Sequence, residues 1–309
     1  MSRYLIIINP TAGRGNGEKL APQIEERLRS LGLNFEIRRT TAPGHASQLA
    51  EQAAEAGWEV VVAAGGDGTS NEVVDGLLRA RLSGIKSPTL GLIPIGRGND
   101  FGFGVGIPHD YEIACQALAG GRRRWIDVGF VKGGDYPDGR YFGNGVGIGF
   151  DAVVGFEALK LKRLSGFPSY IVAALKTILL YFRAPNLQIE FDGQTIQQPA
   201  LMVSIMNGRR LGGGFMMAPA GKIDDGLFDL CIAGQVSRLG IFLLLPRFMQ
   251  GSQAGHPAIR TAQAARVSVS TLDGGLPAHA DGETLCTTGQ RLDLEILPKM
   301  LEVLVPGDS

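Results

Sequence analysis

Two glycine clusters, each ending in an aspartate, and one acidic tripeptide carry the chemistry this sequence offers. Gly65-Gly66-Asp67-Gly68-Thr69-Ser70-Asn71 directly follows the apolar run at residues 60–64. An unbroken apolar run of that length suits a strand covered on both faces. The glycines let the chain turn tightly and come close to a ligand. Thr69, Ser70 or Asn71 is expected to cap a helix carrying Val73, Val74, Leu77 and Leu78. A strand, a glycine turn and a helix N-terminus together make an anion site, because free N–H groups and the positive end of the helix dipole point outward. Asp67 would repel a bare phosphate there, so its presence calls for a metal ion or its waters. Gly96-Arg97-Gly98-Asn99-Asp100-Phe101 follows another apolar strand and again ends in an aspartate. Asp281-Gly282-Glu283 sets two carboxylates around a glycine. If that tripeptide is extended, both share one face with room for a ligand between them. The bland alternatives are an ordinary strand-to-helix turn and a hairpin turn with two solvated acids.

The elements around these residues follow from hydrophobic spacing. Residues 4–8 form an apolar strand ending at Asn9-Pro10, and residues 11–17 a glycine-rich loop. A helix with Leu20, Ile24, Leu28 and Leu31 on one face follows. Residues 33–37 alternate as a second strand, with Thr40 and Thr41 in the loop beyond it. A helix spans residues 46–56, and residues 90–93 form a fourth strand. Short strands alternating with helices indicate a parallel sheet with helices on both faces, whose ligands bind at the carboxyl ends of the strands. Asn9, Thr40 and both glycine clusters sit at those ends.

From Trp125 onward, short strand-like runs separated by Gly, Pro and Asp turns suggest an antiparallel sandwich or open barrel. Two helical insertions, at about residues 151–183 and 237–250, interrupt it. Lys160, Lys162, Arg163, Lys176 and Arg183 alternate there with apolar residues. Core-packing helices with solvated lysines and a greasy, basic lip meeting a lipid surface are the two readings. The boundaries drawn are an α/β nucleotide-binding domain at 1–124, a β-sandwich substrate domain at 125–297, and a tail at 298–309 returning to the first.

Composition excludes several classes. The 309 residues are 44% hydrophobic and 19% charged, a globular balance. Thirty basic against thirty acidic residues give zero net charge, which argues against bulk nucleic-acid binding. Cys115, Cys231 and Cys286 lack Cys-x-x-Cys spacing, so buried thiols in a reducing cytoplasm are expected rather than a disulfide framework or zinc site. Residues 1–8 are too short for a signal peptide. The greasy stretch at 170–182 is too short to span a bilayer.

In chain order the sequence spells Asn9-Pro10-x-x-Gly13, Gly65-Gly66-Asp67-Gly68-Thr69 and Gly96-x-Gly98-Asn99-Asp100-Phe101. Gly143-Asn144-Gly145-x-Gly147-x-Gly149-Phe150-Asp151, Asp224-Asp225-Gly226-Leu227 and Asp281-Gly282-Glu283 follow. This set resembles the soluble bacterial diacylglycerol/lipid kinase family, related to sphingosine kinases, over nearly the whole chain. The resemblance implies an N-terminal parallel α/β nucleotide-binding domain and a C-terminal antiparallel β-sandwich domain with helical insertions, with ATP in the cleft between them. It implies transfer of the γ-phosphoryl group of ATP to a lipid hydroxyl. Position by position, residues Gly65, Gly66, Asp67, Gly68, Thr69, Ser70 and Asn71 would cradle the phosphates. Asn9, Thr40, Thr41, Gly96, Arg97, Gly98 and Asn99 would line the nucleotide. Asp67, Asp100 and Glu283 would hold the catalytic Mg²⁺, and Asp281 would be the general base. Asp225, with carbonyls of Lys222 and Leu227, would hold a second, structural Mg²⁺.

The family usually has threonine where Arg97 stands, which replaces a hydroxyl with a long cation. His279, two residues before Asp281, is expected to pack rather than act. The implied partner is a lipid at the inner membrane surface, reached from the cytoplasm; a homodimer is left open. The rival readings are a nucleotide-regulated lipid-binding protein without turnover and a kinase for a sphingoid base or another small molecule. A deep apolar acceptor pocket would favour a lipid, a small polar one a sugar or nucleotide.

Overall fold

The structure, a computed structural model, describes residues 2–160, 167–180 and 184–307. The chain divides into two units, Met1–Val128 with Pro298–Ser309, and Gly129–Leu297.

The first unit runs β1 (Arg3–Ile8), α1 (Ala12–Ser30), β2 (Asn34–Arg39), α2 (His45–Glu55), β3 (Val60–Gly65), α3 (Asp67–Leu82), β4 (Thr89–Pro94), α4 (Asp100–Gly104) and α5 (Tyr111–Gly120). β2, β1, β3 and β4 lie side by side and parallel, in that order. β3 and β4 are buried along their whole length, as their unbroken apolar sequences require, whereas edge strand β2 alternates between exposed and half-buried. Register brings Ile8 beside both Arg39 and Ala64, and Gly65 beside Pro94. The loops beginning at Asn9, Thr40, Gly66 and Ile95 therefore leave the sheet at one edge. The segment expected as a loop over residues 11–17 is instead wound into the start of α1. Its kink consists of three left-handed residues, Gly13 (φ 58°), Arg14 (φ 63°) and Gly15 (φ 90°). The turn is tight because α1 packs on the Asn9 corner: a Cβ on Gly17 would lie 1.9 Å from the Asn9 carbonyl oxygen.

β5 (Arg122–Gly133) begins in the first unit and ends in the second, followed by β6 (Tyr136–Phe142), β7 (Gly145–Gly149), α6 (Phe150–Lys160), α7 (Phe167–Leu180), β8 (Asn186–Phe191), β9 (Gln194–Met206) and β10 (Phe228–Gly234). Then come α8 (Arg238–Gln250), β11 (Ile259–Ala264), β12 (Arg266–Thr271), β13 (Leu276–Ala280), β14 (Glu283–Gly289) and β15 (Arg291–Val305). The second unit's strands pair antiparallel, and β9 joins β8 through its first half and β7 and β10 through its second. Val203 and Ile205 of β9 and Leu230 and Ile232 of β10 face a core shared with Val267, Val269, Leu292 and Leu294 of the other layer. The alternate residues Met202, Met206, Cys231 and Ala233 face away from that core, toward α6, α7 and α8. One sheet thus has a sandwich core on one side and a helical cover on the other. The end of β15 leaves this unit and pairs parallel with β4 in the first, Val303 beside Leu90.

β11, β13 and β14 escape sequence reading. β13, Leu-Pro-Ala-His-Ala, is short, holds a proline and shows no alternation, yet every residue in it is buried. Lys162, Arg163 and Arg183 lie outside the described residues. Lys160 and Lys176 both pair with Glu157, at 2.6 and 2.5 Å, so the basic lip expected there is partly neutralised. No helix among the described residues is long and apolar enough to cross a membrane. The three cysteines are buried free thiols, and burial pushes Cys115 and Cys231 up to about 12.

Candidate active site

At the edge of the first unit's sheet, the two glycine clusters touch backbone to backbone. A Cβ on Gly96 would lie 2.3 Å from the Gly66 Cα, and the amides of Ile95 and Gly96 both donate to the Gly65 carbonyl. Neither glycine tolerates a side chain without the loops moving apart. Asn99 sits in the left-handed region (φ 54°) and folds back on its own loop. Its Oδ1 accepts from the Gly96 amide at 3.0 Å, and its Nδ2 donates to the Gly96 carbonyl.

α3 begins at Asp67, with Gly66 in the capping position and no side-chain cap, which corrects the expectation that Thr69, Ser70 or Asn71 caps it. Those residues lie inside the first turn and a half. Thr69 instead turns back toward Gly65, and its Oγ1 accepts from Asn9 Nδ2 at 3.0 Å. Asp67 Oδ1 accepts from the Phe101 amide at 3.1 Å and so ties the start of α3 to the start of α4, where buried Asp100 stands. The Thr40–Thr41 loop is held by two residues that sequence reading missed. His45 Nδ1 lies 3.0 Å from Thr41 Oγ1, and Glu72 accepts from the amides of Gly44 and Ala46. Arg97 is half-buried in the second glycine loop.

In the second unit, Asp281 and Gly282 form the turn between β13 and β14, with φ 48° and 86°. Of the two readings of Asp281-Gly282-Glu283, the structure adopts the hairpin turn and not the extended arrangement, because a left-handed pair cannot set alternate side chains on one face. The Asp281 carboxylate is 3% exposed and points into the motif at residues 143–150. It accepts from the amides of Gly143 (2.8 Å), Asn144 (3.1 and 3.3 Å) and Gly145 (2.8 Å). Asn207 Nδ2 donates to the Gly143 carbonyl, and Asn144 Nδ2 to that of Arg210, which fixes the donors in turn. The glycines of this motif are therefore a cradle for one carboxylate. Left-handed non-glycine residues of this kind concentrate at functional sites.

Beside this cradle lies a narrow apolar pocket of about 60 Å³, lined among others by Phe150, Val154, Met202, Phe215, Leu244 and Phe248. Asp151 is the one charged side chain in its wall among the described residues. His279 packs against Asp151, with Nε2 3.6 Å from Oδ2. A Cβ on Gly147 would lie 2.2 Å from Asp151 Oδ2 and 2.5 Å from His279 Nε2, so a side chain there would push this pair aside. His279 pairs with Gly147 and the Asp281 amide bonds to the Gly145 carbonyl, two residues along the same strand pair. The polar end of the pocket and the Asp281 cradle are thus about 7 Å apart along β7.

Whether these residues suit Mg²⁺ is decided by their donors. No three His, Cys, Asp or Glu side chains gather as a metal site among the described residues. Mg²⁺ keeps waters and takes substrate phosphates as ligands, so one or two carboxylates suffice. Near the expected structural site, the Leu227 amide donates to Asp225 Oδ1 at 3.2 Å. Asp229, unnoticed in the sequence although it interrupts an apolar strand, adds a second carboxylate. Gln263 occupies its Oδ1, while its Oδ2 is buried without a partner. Burial raises the Asp229 carboxyl above its ordinary range, the Gln263 bond opposes this, and Asp225 raises it further. A buried, crowded carboxylate fits a hard cation beside it. Asp229→Asn should leave the unfolding midpoint without Mg²⁺ unchanged or higher, and should remove the gain that millimolar Mg²⁺ gives the unaltered chain. Thermal melts with EDTA and with Mg²⁺ check this; a full Mg²⁺ gain in the variant would exclude Asp229.

A parallel sheet with paired glycine–aspartate turns, and a sandwich with an apolar pocket beside a buried carboxylate, define a phosphotransferase with an apolar acceptor. Residues 3–131 match the family model described as diacylglycerol kinase catalytic domain, and residues 144–305 the one described as YegS C-terminal NAD kinase beta sandwich-like domain. The chain belongs to the diacylglycerol kinase family and is a lipid kinase. It is 32% identical to a diacylglycerol kinase of Bacillus subtilis (strain 168), over 92% of this chain and 90% of that one. It is 30% identical to a diacylglycerol kinase of Staphylococcus aureus (strain bovine RF122 / ET3-1), over 99% and 93%. A crystal structure of a diacylglycerol kinase from Bacillus anthracis str. Sterne shares the fold, with TM-score 0.73, 24% identity and coverage of 98% and 96%. An NAD kinase from Archaeoglobus fulgidus in complex with ATP shares it more distantly, with TM-score 0.52, 13% identity and coverage of 98% and 93%. The family does not favour the rival of a lipid-binding protein without turnover.

Proposed function

We propose that the chain transfers the γ-phosphoryl group of ATP to the free hydroxyl of a diacylglycerol-type lipid, from the cytoplasm, as a peripheral enzyme of phospholipid biosynthesis at the inner membrane surface. The observation that carries the acceptor assignment is the apolar pocket, with its polar end two residues along one strand pair from Asp281. A sugar or nucleotide acceptor would call for a polar lining. A sphingoid base shares the apolar chain and remains the second acceptor to test.

Each residue's role follows from its position. Asn9, Thr40, Thr41, Gly65, Gly66, Gly68, Thr69, Ser70, Asn71, Gly96, Arg97, Gly98 and Asn99 are proposed to line the nucleotide. The first turn of α3 offers its amides to the phosphates. Asp67, Asp100 and Glu283 are proposed as carboxylates for Mg²⁺, which would neutralise charge on the β- and γ-phosphate oxygens. Lys222, Asp225 and Leu227 are proposed for the structural Mg²⁺, with Asp229 added. Asp281 accepts the proton of the lipid hydroxyl as the new P–O bond forms and ADP leaves.

Incubating the chain with labelled ATP and Mg²⁺ against diacylglycerol, a sphingoid base and glycerol tests this. Label is expected in diacylglycerol. Label only in glycerol, or in no lipid, would overturn it.

A further inference from the structure

The pair at the polar end of the pocket is incompletely bonded. Asp151 Oδ2 and His279 Nδ1 are buried and have no hydrogen-bond partner. The 3.6 Å from His279 Nε2 to Asp151 Oδ2 is an ion-pair distance, too long for a hydrogen bond between them. The two side chains are 11 and 13% exposed, so bulk water is a poor substitute for the missing partners. Leaving a buried polar atom unbonded costs stability, most of all where it is charged. Every other described residue lining the pocket is apolar or glycine, so a polar group entering it meets a side-chain partner only at this pair. The pocket is also narrow. Its volume of about 60 Å³ admits roughly five water-sized groups, a few methylenes of one chain in single file and not two chains side by side.

We propose that Asp151, backed by His279, selects the acceptor's head group by taking a hydrogen-bond donor on the carbon beside the one that carries the reacting hydroxyl. The acceptor class this favours is a single-chain lipid diol, a monoacylglycerol or its ether counterpart, over a diacylglycerol. The chemistry of the pair decides it. A carboxylate only accepts. The head of a diacylglycerol has one donor, the hydroxyl that reacts, and its ester oxygens would face Asp151 acceptor against acceptor. A second free hydroxyl does both things the pair needs: it donates to Asp151 Oδ2 and accepts from His279 when Nε2 carries the proton. The gap of about 7 Å between the pair and the Asp281 cradle is spanned by hydroxyls on neighbouring carbons, one hydrogen-bonded at each end. The proposal deepens the lipid-kinase reading and rests on it only for which hydroxyl reacts; the head-group contact is read by binding alone.

Calorimetric titration of the full chain without ATP tests this, with two monomeric ligands that differ in one group: a hexyl ether of glycerol at its first carbon, and the same ether lacking the middle hydroxyl. The unaltered chain should bind the diol about 30-fold more tightly, within the range for a hydrogen bond to a charged group. Asp151→Asn keeps an accepting oxygen without the charge, and the ratio should fall to about fivefold. Asp151→Leu keeps the volume and removes the acceptor, and the ratio should fall to about one. Damage to the pocket as a whole lowers both affinities alike and leaves the ratio unmoved. A short-chain diacylglycerol, whose middle oxygen is esterified, should gain nothing from Asp151, so its affinity should not fall in Asp151→Asn. Equal binding of the two ethers by the unaltered chain, or binding of neither, would overturn the proposal. So would a ratio that does not move in Asp151→Asn, which decides the matter even where Asp151→Leu does not fold. A diol preference in binding, with no phosphorylation of either ether from labelled ATP and Mg²⁺, would count against the kinase reading and leave the head-group contact standing.

Discussion

Asp281→Asn is expected to lower turnover about 1,000-fold or more, within the upper range for removing a general base. The geometry also says that this variant will not be silent for the fold. A carboxylate only accepts, and here it receives three backbone amides. Asparagine offers one oxygen and one NH₂ group, so its nitrogen must face the amide of Gly143 or of Gly145, donor against donor. Leaving one buried amide unsatisfied costs about 1–3 kcal/mol, and the unfolding midpoint should fall by several degrees. The two effects separate by temperature. Circular dichroism finds a temperature at which the variant is fully folded, and the single-turnover rate is measured there. If Asp281 takes the proton, the rate stays about 1,000-fold down while ATP still binds. If it only organises residues 143–145, the folded variant turns over within about tenfold of the unaltered chain, and the base must be sought elsewhere, with Asp151 at the end of the pocket as the next residue to replace.

The parallel half of the fold was legible because fully buried strands write themselves as apolar runs and the glycine turns mark their carboxyl ends. Val60 to Gly65 needed no tertiary information. The Asp281 cradle was not legible in the same way. The motif at residues 143–150 reads as a string of glycines, and its purpose appears only when Asp281, 138 positions beyond Gly143, is folded against its amides. The tripeptide left a turn and an extended arrangement both open, because Gly282 permits either; what the sequence did not show is that the turn buries Asp281 instead of leaving it solvated. Asp229 was passed over because Asp225 lies in an obvious turn motif while Asp229 lies inside a strand, where burial and not sequence leaves its oxygen unsatisfied. His279 was expected to pack, and it is buried; what the sequence did not show is that it packs on Asp151 at the pocket's polar end. The capping expectation on α3 failed because Thr69 is drawn back by Asn9 from the neighbouring strand end.

Asp67→Asn should change the sign of a binding preference and not only its size. The substitution is mild for the fold, because the amide oxygen of asparagine can accept from Phe101 as Asp67 Oδ1 does at 3.1 Å. What it removes is one negative charge at the start of α3, where amides and helix dipole attract phosphate. In EDTA that charge opposes the triphosphate, so the variant should bind ATP more tightly than the unaltered chain, by about tenfold. With saturating Mg²⁺ the carboxylate works in the opposite direction, through the cation or its waters, and the variant should bind more weakly. Turnover at saturating ATP and Mg²⁺ should fall on the order of 100-fold, and the Mg²⁺ concentration giving half-maximal rate should rise. Calorimetric titration of ATP into both chains, in EDTA and in Mg²⁺, reads the crossover directly. Weaker binding by the variant under both conditions would make Asp67 a contact to the nucleotide itself. Equal binding under both would confine it to holding α4, and the metal role would then fall to Asp100 and Glu283.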